Sequence, residues 1–468
     1  MRTAFINNRI IQTHNYRFEG KHYLNENSFL SLTLEKNEDR CCSLGNVAQV
    51  FNPPVFKRQF CTKSSKSIQY FQSSDVKNAN ENSNTFVFKE QADSLNLIVK
   101  RGDILVTGFG TIGNTRIVSK FQNNVCYANN VCRIRTDQDN KAGYIYAVLS
   151  SKYGIAQLNK NASGSVVRYI ESPGIKKTLI PVFNESFQRE IDDLINESLL
   201  LREEATNILN ESDSFLKKCV NLQDLSTEYY DYYGTRSNKR SISCFTRNIK
   251  GITSISINAF NHSERITNAK KMILGKTVPL RSVLNGESLF STGSFPRIEV
   301  KTGCGIKLIN QSDIFDSIIK GKWISKRKVK TDSLVKYGEV LVAGVGTLGD
   351  NETFCHVIFA NEDLDGELVS GEFIRMKTNE MVPSGYLFAW LNTDYGFRFI
   401  RNTQSGTKLC RPIPQLLLNI PVPIISKNEM IQIDSMIKTA HSKRHEANKK
   451  EIEAISMVEA EIEKWNKH

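Results

Sequence analysis

Several signatures are missing from this sequence, and each absence closes a class of protein. The ten cysteines, at 41, 42, 61, 126, 132, 219, 244, 304, 355 and 410, form no CxxC pair, and nothing follows the C-x2-C…H-x3-H spacing of a zinc site. The N-terminus, MRTAFINNRIIQTHNYRF, has no signal-peptide apolar core, and no apolar run reaches the ~18 residues that span a bilayer. Thiols scattered in this way fit a reducing cytoplasm, where they pack as small hydrophobes without disulfides. The seven histidines (14, 22, 262, 356, 441, 445 and 468) make no HExxH, and no Ser or Cys lies in a nucleophile elbow. No catalytic residue, metal or cofactor is expected, and no membrane.

What is present is charge and length. A net charge of +13, from 62 Lys and Arg against 49 Asp and Glu, favours a polyanionic partner, of which nucleic acid is the commonest. The 468 residues, 40% hydrophobic and 24% charged, exceed one compact core and have a globular composition.

The chain is also written twice. Residues 98–114, IVKRGDILVTGFGTIGN, match 334–350, LVKYGEVLVAGVGTLGD, at nine of 17 positions. Further pairs follow in the same order: FEGKHY from Phe18 with INAFNH from Ile257, and FKRQFCTKSSKSIQYFQSSDV from Phe56 with FPRIEVKTGCGIKLINQSDIF from Phe295. Gly143-Tyr144 matches Gly385-Tyr386, KYGIAQLNKNASGS from Lys152 matches DYGFRFIRNTQSGT from Asp394, and Leu179–Val182 matches Asn419–Val422. A period near 240 is too long for a solenoid, so these are two tandem domains of one family.

After each copy the texture changes. Residues 184–222 lack Gly and Pro, and Phe187, Ile191, Leu194, Ser198, Leu201, Ala205, Ile208, Ser212, Phe215, Cys219 and Leu222 recur at alternating steps of four and three. That is the 3.5-residue period of a coiled-coil seam, with Asn184 as its N-cap. Residues 427–465 repeat the pattern with Met430, Ile433, Ile437 and Ala440, then Ile455, Val458, Ile462 and Trp465. Between them HSKRHEANKK is polar, so the stripe weakens and His441 and His445 read as a solvated face. The repeats themselves read as mixed and strand-rich, with a linker at DYYGTRSNKRS (231–241).

Two motifs suggest an enzyme and fail on context. Gly108 to Gly113 and Gly344 to Gly349 both fit GxGxxG after a strand, but β-like residues follow, so no helix N-terminus receives a pyrophosphate. A glycine-rich turn between strands is expected. Asn52-Pro53-Pro54-Val55 has the NPP of adenine methyltransferases without an aromatic to stack on a flipped base. Basic clusters recur instead. Lys57 and Arg58 match Arg297, Lys63 and Lys66 follow, and 320–330 reads KGKWISKRKVK around Trp323. Such groups neutralise phosphates, while Arg, Asn, Gln and Ser read base edges.

Taken together, the chain resembles the specificity subunits of type I restriction-modification systems. The resemblance rests on RFEGKHY (Arg17 to Tyr23), on GDILVTGFGTIG and GEVLVAGVGTLG, on SSDV and QSDI, and above all on their duplicated order. It implies an α+β chain with two pseudo-repeated mixed α/β target-recognition domains separated by two long antiparallel coiled-coil helices. The expected bounds are 1–183 and 233–426 for the domains, and 184–232 and 427–468 for the helices. It implies a non-catalytic, cytoplasmic subunit that reads a bipartite double-stranded DNA site and carries two methyltransferase subunits, joined by endonuclease-translocase subunits. The expected DNA-binding residues are Lys57, Arg58, Lys63, Lys66, Ser163, Ser165 and Arg168 in one copy, and Arg297, Lys326, Arg327, Lys328, Lys408 and Arg411 in the other. Ile191, Leu194, Leu201, Ile208, Phe215, Ile437, Ile455, Val458 and Ile462 are the expected partner-binding residues. The rival readings are a methyltransferase or nucleotide-binding enzyme, and a coiled-coil scaffold that binds no DNA.

Overall fold

A computed structural model describes residues 8–13, 18, 26–137, 141–163, 168–225, 245–252, 254–348 and 352–465. The opening motif apart from Phe18, Ser165, Gly349 and the 231–241 linker lie outside these residues. The chain forms two compact units, one of Met1–Glu203 with Glu446–His468 and one of Glu204–His445.

In the first unit four strands pair antiparallel: β1 (Ala48–Phe51), β2 (Ile104–Thr107), β3 (Thr115–Ile117) and β4 (Val131–Thr136), in the order β1-β4-β2-β3. The run ILVT of β2 is wholly buried because both faces of the strand are covered. Alternation sends Ile104 and Val106 towards Tyr144, Val148, Ile191 and Val458, and Leu105 towards Phe71, Val118 and Tyr127. Each such side chain stabilises by roughly 1.5–3 kcal/mol when fully buried.

The second unit repeats this design. Strands β5 (Val340–Ala343), β6 (Val357–Phe359) and β7 (Phe373–Met376) pair antiparallel in the order β6-β5-β7, with Phe290 bridging to Arg375 at the free edge of β7. Val340 and Val342 join Tyr386, Trp390, Ile433 and Ile437, while Leu341 joins Ile309, Val369 and Phe373. Each unit also has a smaller sheet with one parallel pair, Ser67–Phe71 with Cys126–Tyr127 and Ile306–Ile309 with Leu368–Val369.

Two short helices back each sheet: α1 (Ala142–Ser150) and α2 (Lys152–Lys160) in the first unit. The second unit has α4 (Ser384–Asn392) and α5 (Asp394–Asn402), with the long α3 (Glu185–Val220) preceding them in the chain. Ser151 and Thr393 cap α2 and α5 by accepting from the amides of Gly154 and Gly396 at 3.2 and 3.1 Å. Only glycine fits there: a Cβ on Gly154 would lie 2.2 Å from the Val148 carbonyl, and one on Gly396 would lie 2.4 Å from that of Trp390. The recurring Tyr-Gly pairs of the sequence are therefore sharp helix–helix corners.

Tyr144 and Tyr386 donate to the carbonyls of Pro181 and Pro423, each at 2.7 Å. This corrects one alignment, since Leu179–Val182 corresponds to 421–424 and not to Asn419–Val422. Asp192 and Asp434 accept from the amides of Gly143 and Gly385 at 2.7 and 2.8 Å, tying a carboxylate on each long helix to a short-helix N-terminus.

The long helices are α3 and α6 (Lys427–Lys464). Asn184 caps α3 by accepting from Phe187 at 2.9 Å, and Ser426 and Glu429 form a capping box on α6. They run antiparallel. In the first unit Ser198 donates to the Ala447 carbonyl at 2.8 Å, Glu197 pairs with Lys450 and Arg202 with Glu451; in the second, Glu204 pairs with Lys443 at 2.7 Å.

The seam itself departs from its sequence reading. Buried or facing inward on α3 are Ile191, Ile195, Ser198, Arg202, Ala205, Leu209, Ser212, Leu216 and Val220, so Leu194, Leu201, Ile208, Phe215 and Cys219 each give way to the residue one position later. On α6 the polar stretch does not interrupt the seam. Ala447, Asn448, Glu451 and Ala454 are buried, and Arg202 and Tyr146 satisfy the Glu451 carboxylate. His441 is likewise no solvated residue: it is 8% exposed between Phe359 and Phe388, with ring centroids at 5.1 and 5.3 Å. His445 meets Asp363 through Nδ1 at 2.6 Å.

Candidate nucleic-acid interface

The GxGxxG segments are turns, as their context suggests. Gly108 to Gly113 joins β2 to the antiparallel β3, with Gly110 and Gly113 at φ +73° and +88°, and Thr107 Oγ1 bridges the turn to the Thr111 carbonyl at 2.6 Å. Gly108 lies against a second loop, with its carbonyl accepting from Ile170 at 2.8 Å. A Cβ there would sit 2.5 Å from the Ile170 carbonyl oxygen. In the second unit Gly346 and Cys410 exchange both backbone bonds, at 3.2 and 2.7 Å, and make the same junction. Each turn is thus fastened to the loop after the second short helix.

Asn52 of the NPP segment braces this assembly: its amide donates to the Asn129 carbonyl at 3.3 Å and accepts from the Ser172 amide at 2.8 Å. Both polar ends are occupied by backbone, so the motif has a structural use here.

The basic residues gather around these junctions and on the smaller sheets. Lys57, Arg58, Lys63 and Lys66 are all exposed on one small-sheet edge. The Lys57 carbonyl accepts from Gln91 at 2.9 Å, Arg58 lies over the Tyr70 ring at 5.8 Å, and the Lys66 carbonyl accepts from Lys89 at 2.9 Å. Ser163 exchanges backbone bonds with Tyr169 at 2.8 and 2.9 Å, and the exposed Arg168 donates to the Asn159 carbonyl.

In the second unit Ser325 donates its amide to the Ile298 carbonyl at 2.8 Å, which brings Arg297 beside Lys326, Arg327 and Lys328. These three form a 3-10 turn capped by Ser325 and are exposed. Lys408 and Arg411 are exposed on the hairpin that pairs Ser405 with Arg411, next to the Gly346 junction.

Reading residues by charge missed an apolar feature of this surface. Phe109, between two glycines of the turn, stacks on Tyr169 with centroids 5.6 Å apart and planes 18° apart. Their side chains are exposed at 37% and 38%. The signal was an aromatic residue inside a glycine turn, where a solvent-facing turn normally carries a polar one.

The expected partner-binding residues divide. Ile191, Ile437, Val458 and Ile462 have at most 2% of their surface exposed and lie inside the chain's own cores, so they cannot contact a second subunit. Leu194, Leu201, Ile208, Phe215 and Ile455 are partly exposed on the flanks of the seam. Among the described residues no helix is long and apolar enough to cross a membrane, and no group of three His, Cys, Asp or Glu could hold a metal.

No protein-family model matches the chain, and no curated protein matches it. Solved structures do. The S subunit of a type-I restriction-modification system from M. genitalium is similar at 10% identity and TM-score 0.33, over 91% of this chain and 95% of that one. The HsdS subunit from Thermoanaerobacter tengcongensis is similar at 12% identity and TM-score 0.27, over 91% and 96%. A chain of a type I R-M system is similar at 12% identity and TM-score 0.28, again over 91% and 96%. Over 91% of its length, then, this chain is matched in structure by specificity subunits of type I restriction-modification systems, at low sequence identity.

Proposed function

We propose that this chain is the DNA-recognition subunit of a type I restriction-modification complex. One observation carries the reading: exposed basic residues stand at equivalent junctions of two copies of one frame. Arg168 and Ser163 lie beside the first glycine turn and Lys408 and Arg411 beside the second, with Lys57 and Arg58 answered by Arg297. Two diverged copies of a reading surface suit two unlike half-sites. Lys63, Lys66 and Lys326 to Lys328 serve the phosphates and hold register, while Arg168 and Arg411 reach base edges. On this reading the two recognition domains are residues 1–183 and 233–426. The partly exposed flanks of the long helices (Leu194, Leu201, Ile208, Phe215 and Ile455) take two methyltransferase subunits, and endonuclease-translocase subunits join them.

The chain's part is binding and positioning, and methyl transfer and cleavage belong to its partners. The test is selection of duplexes from a random-sequence pool by the full-length protein, with binding followed across a salt series. A bipartite motif and a steep salt dependence are expected, with log K falling by about 0.9 per phosphate neutralised. A flat salt response with no selected motif supports the scaffold reading. Methyl transfer by the chain alone, surviving removal of contaminating subunits, supports the enzyme reading.

A further inference from the structure

The stacked pair at the first glycine turn is partly exposed on the surface of its unit. Phe109 and Tyr169 come from separate loops, yet their backbones are locked together: they form an antiparallel bridge, and Ile170 donates to the Gly108 carbonyl at 2.8 Å. Tyr169 is held from its other side by the two bonds to Ser163, at 2.8 and 2.9 Å. Both rings are therefore presented at fixed positions. They stand on a surface whose neighbours, Ser163 and Arg168, are polar or cationic and exposed. A rigid aromatic stack beside an exposed guanidinium matches one occupant, the base face of a polyanion, because bases present apolar atoms close behind phosphates.

The second unit keeps the frame and changes the surface. Gly344 is as closely packed as Gly108, with a Cβ there 2.6 Å from the Glu372 carbonyl, and Gly346 and Cys410 repeat the bridge. Val345 follows Gly344 as Phe109 follows Gly108, and Leu409, the neighbour of the bridging Cys410, is 60% exposed.

We infer that the Phe109–Tyr169 stack is a specificity element of the first unit, which packs against the apolar atoms of a DNA base and contacts no phosphate. This rests on the DNA-recognition reading above. In the second unit the apolar residues beside the turn, Val345 and Leu409, are aliphatic, so the two half-sites are read with different apolar chemistry on one scaffold.

The test compares the wild-type full-length protein with Phe109→Ala, Tyr169→Ala and Tyr169→Phe. The probes are random-sequence duplex and duplexes selected by the wild type. Both alanine variants should keep their melting temperature, their affinity for random duplex and its salt slope. On selected duplex they should bind about tenfold more weakly, with the lost sequence preference confined to one half-site. Tyr169→Phe should behave as wild type, because the stack and not the hydroxyl is used.

Two arms separate the sources of apolar contact. Deoxyuridine in place of thymine in that half-site should weaken the wild type but not Phe109→Ala if a thymine methyl is read. If a ring face is read, 2-aminopurine in that half-site should change its emission with the wild type and not with Phe109→Ala. Absence of both effects, unchanged discrimination, or equal loss at both half-sites overturns the assignment. If the wild type selects no motif at all, the recognition reading falls first and the stack's role falls with it.

Discussion

The two units place the same residues at the same points of the frame and fill the space between with different chemistry. Arg133 and Arg375 are both fully buried at equivalent positions of β4 and β7. Arg133 donates only to backbone, including the Leu97 and Tyr127 carbonyls at 3.1 and 2.7 Å, while Arg375 also pairs with Glu339 at 2.8 Å. In the first unit the matching carboxylate, Asp103, turns to Arg135 at 2.7 Å.

Where the long helices meet the short ones the exchange is larger. Tyr146, Glu451 and Arg202 form a polar knot in the first unit, and Phe388, His441 and Phe359 form an aromatic one in the second. Even the residue types of the helix clasp change ends. Glu203 on α3 holds Arg101 at 3.0 Å, whereas His445 on α6 is held by Asp363 at 2.6 Å. Contacts that bind backbone persist because the backbone does, whereas side-chain pairs change together, as units, once both members can move.

The sharpest break of this comparison is to remove half of the polar knot. Glu451→Ala leaves Arg202 and the Tyr146 hydroxyl without their shared acceptor inside the first unit. A loss of about 3–5 kcal/mol is expected, because the remaining charge stays buried. Replacing Glu451, Arg202 and Tyr146 together by Leu, Leu and Phe should recover most of it. Urea denaturation, with amide exchange followed in β4 and β7 separately, should show the loss in β4 first. An equal loss in both strands would mean that the knot does not belong to one unit.

Next in size is a difference in reading. Arg168→Ala should cost about 1–3 kcal/mol at one half-site if its guanidinium makes a bidentate base contact, and leave the other half-site unchanged. Binding to duplexes altered in one half-site at a time decides this. Loss at both removes Arg168 from the reading surface.

The frame was largely legible in the sequence because it is made of periodic and repeated signals. The alternation of ILVT and VLVA, the Tyr-Gly corners and the length of α3 and α6 all follow from local pattern. The seam was misread by one position at Leu194, Leu201, Ile208, Phe215 and Cys219 because Ile195, Leu209, Leu216 and Val220 beside them are equally apolar and Leu201 is more apolar than Arg202. The inward residues are chosen by what faces them, and Glu451 makes Arg202 an interior residue. Nor could pattern show that His441 is buried, since HSKRHEANKK is polar by composition and the rings that enclose the imidazole, those of Phe359 and Phe388 in its own unit, are distant in sequence. In the candidate site the charged residues were visible as clusters. The Phe109–Tyr169 stack was not, because its members are 60 positions apart and meet only through the turn.

A pH difference between the units should follow from the aromatic knot. Burial, helped by nearby Arg444, holds the His441 imidazole down at about 3 from an ordinary 6.5. The unfolded chain therefore takes up this proton first. Its contribution to stability is complete above pH 6.5 and declines as the pH falls from there towards 3. At pH 5 the deficit is on the order of 1–2 kcal/mol and falls on the second unit. The first unit has Leu199 at the matching position, so His441→Leu should abolish that deficit. Melting and exchange in β7 at pH 8 and pH 5 measure it; a variant as acid-sensitive as the wild type would place the origin elsewhere.

The smallest effect is the one in which the two units should not differ. Tyr144 and Tyr386 each donate to a proline carbonyl at 2.7 Å, and both rings are buried, with 3% and 0% of their surface exposed. Each proline ends a short strand, Leu179–Pro181 or Pro421–Pro423, paired antiparallel with Cys41–Ser43 or Thr277–Pro279. The two hydroxyls therefore do one task, holding the strand that leads into a long helix against a short helix. Removing either leaves a buried carbonyl without that donor while keeping the ring and its packing, which costs about 1 kcal/mol. Tyr144→Phe and Tyr386→Phe should lower the stability of their own units by that amount, within a few tenths of a kcal/mol of each other. The double variant should be additive, because the two sites share no partner. Exchange protection in β4 for the first and β7 for the second is the measurement. A large inequality would show that the equivalent bonds carry different loads and that the repeat preserves geometry without preserving energy.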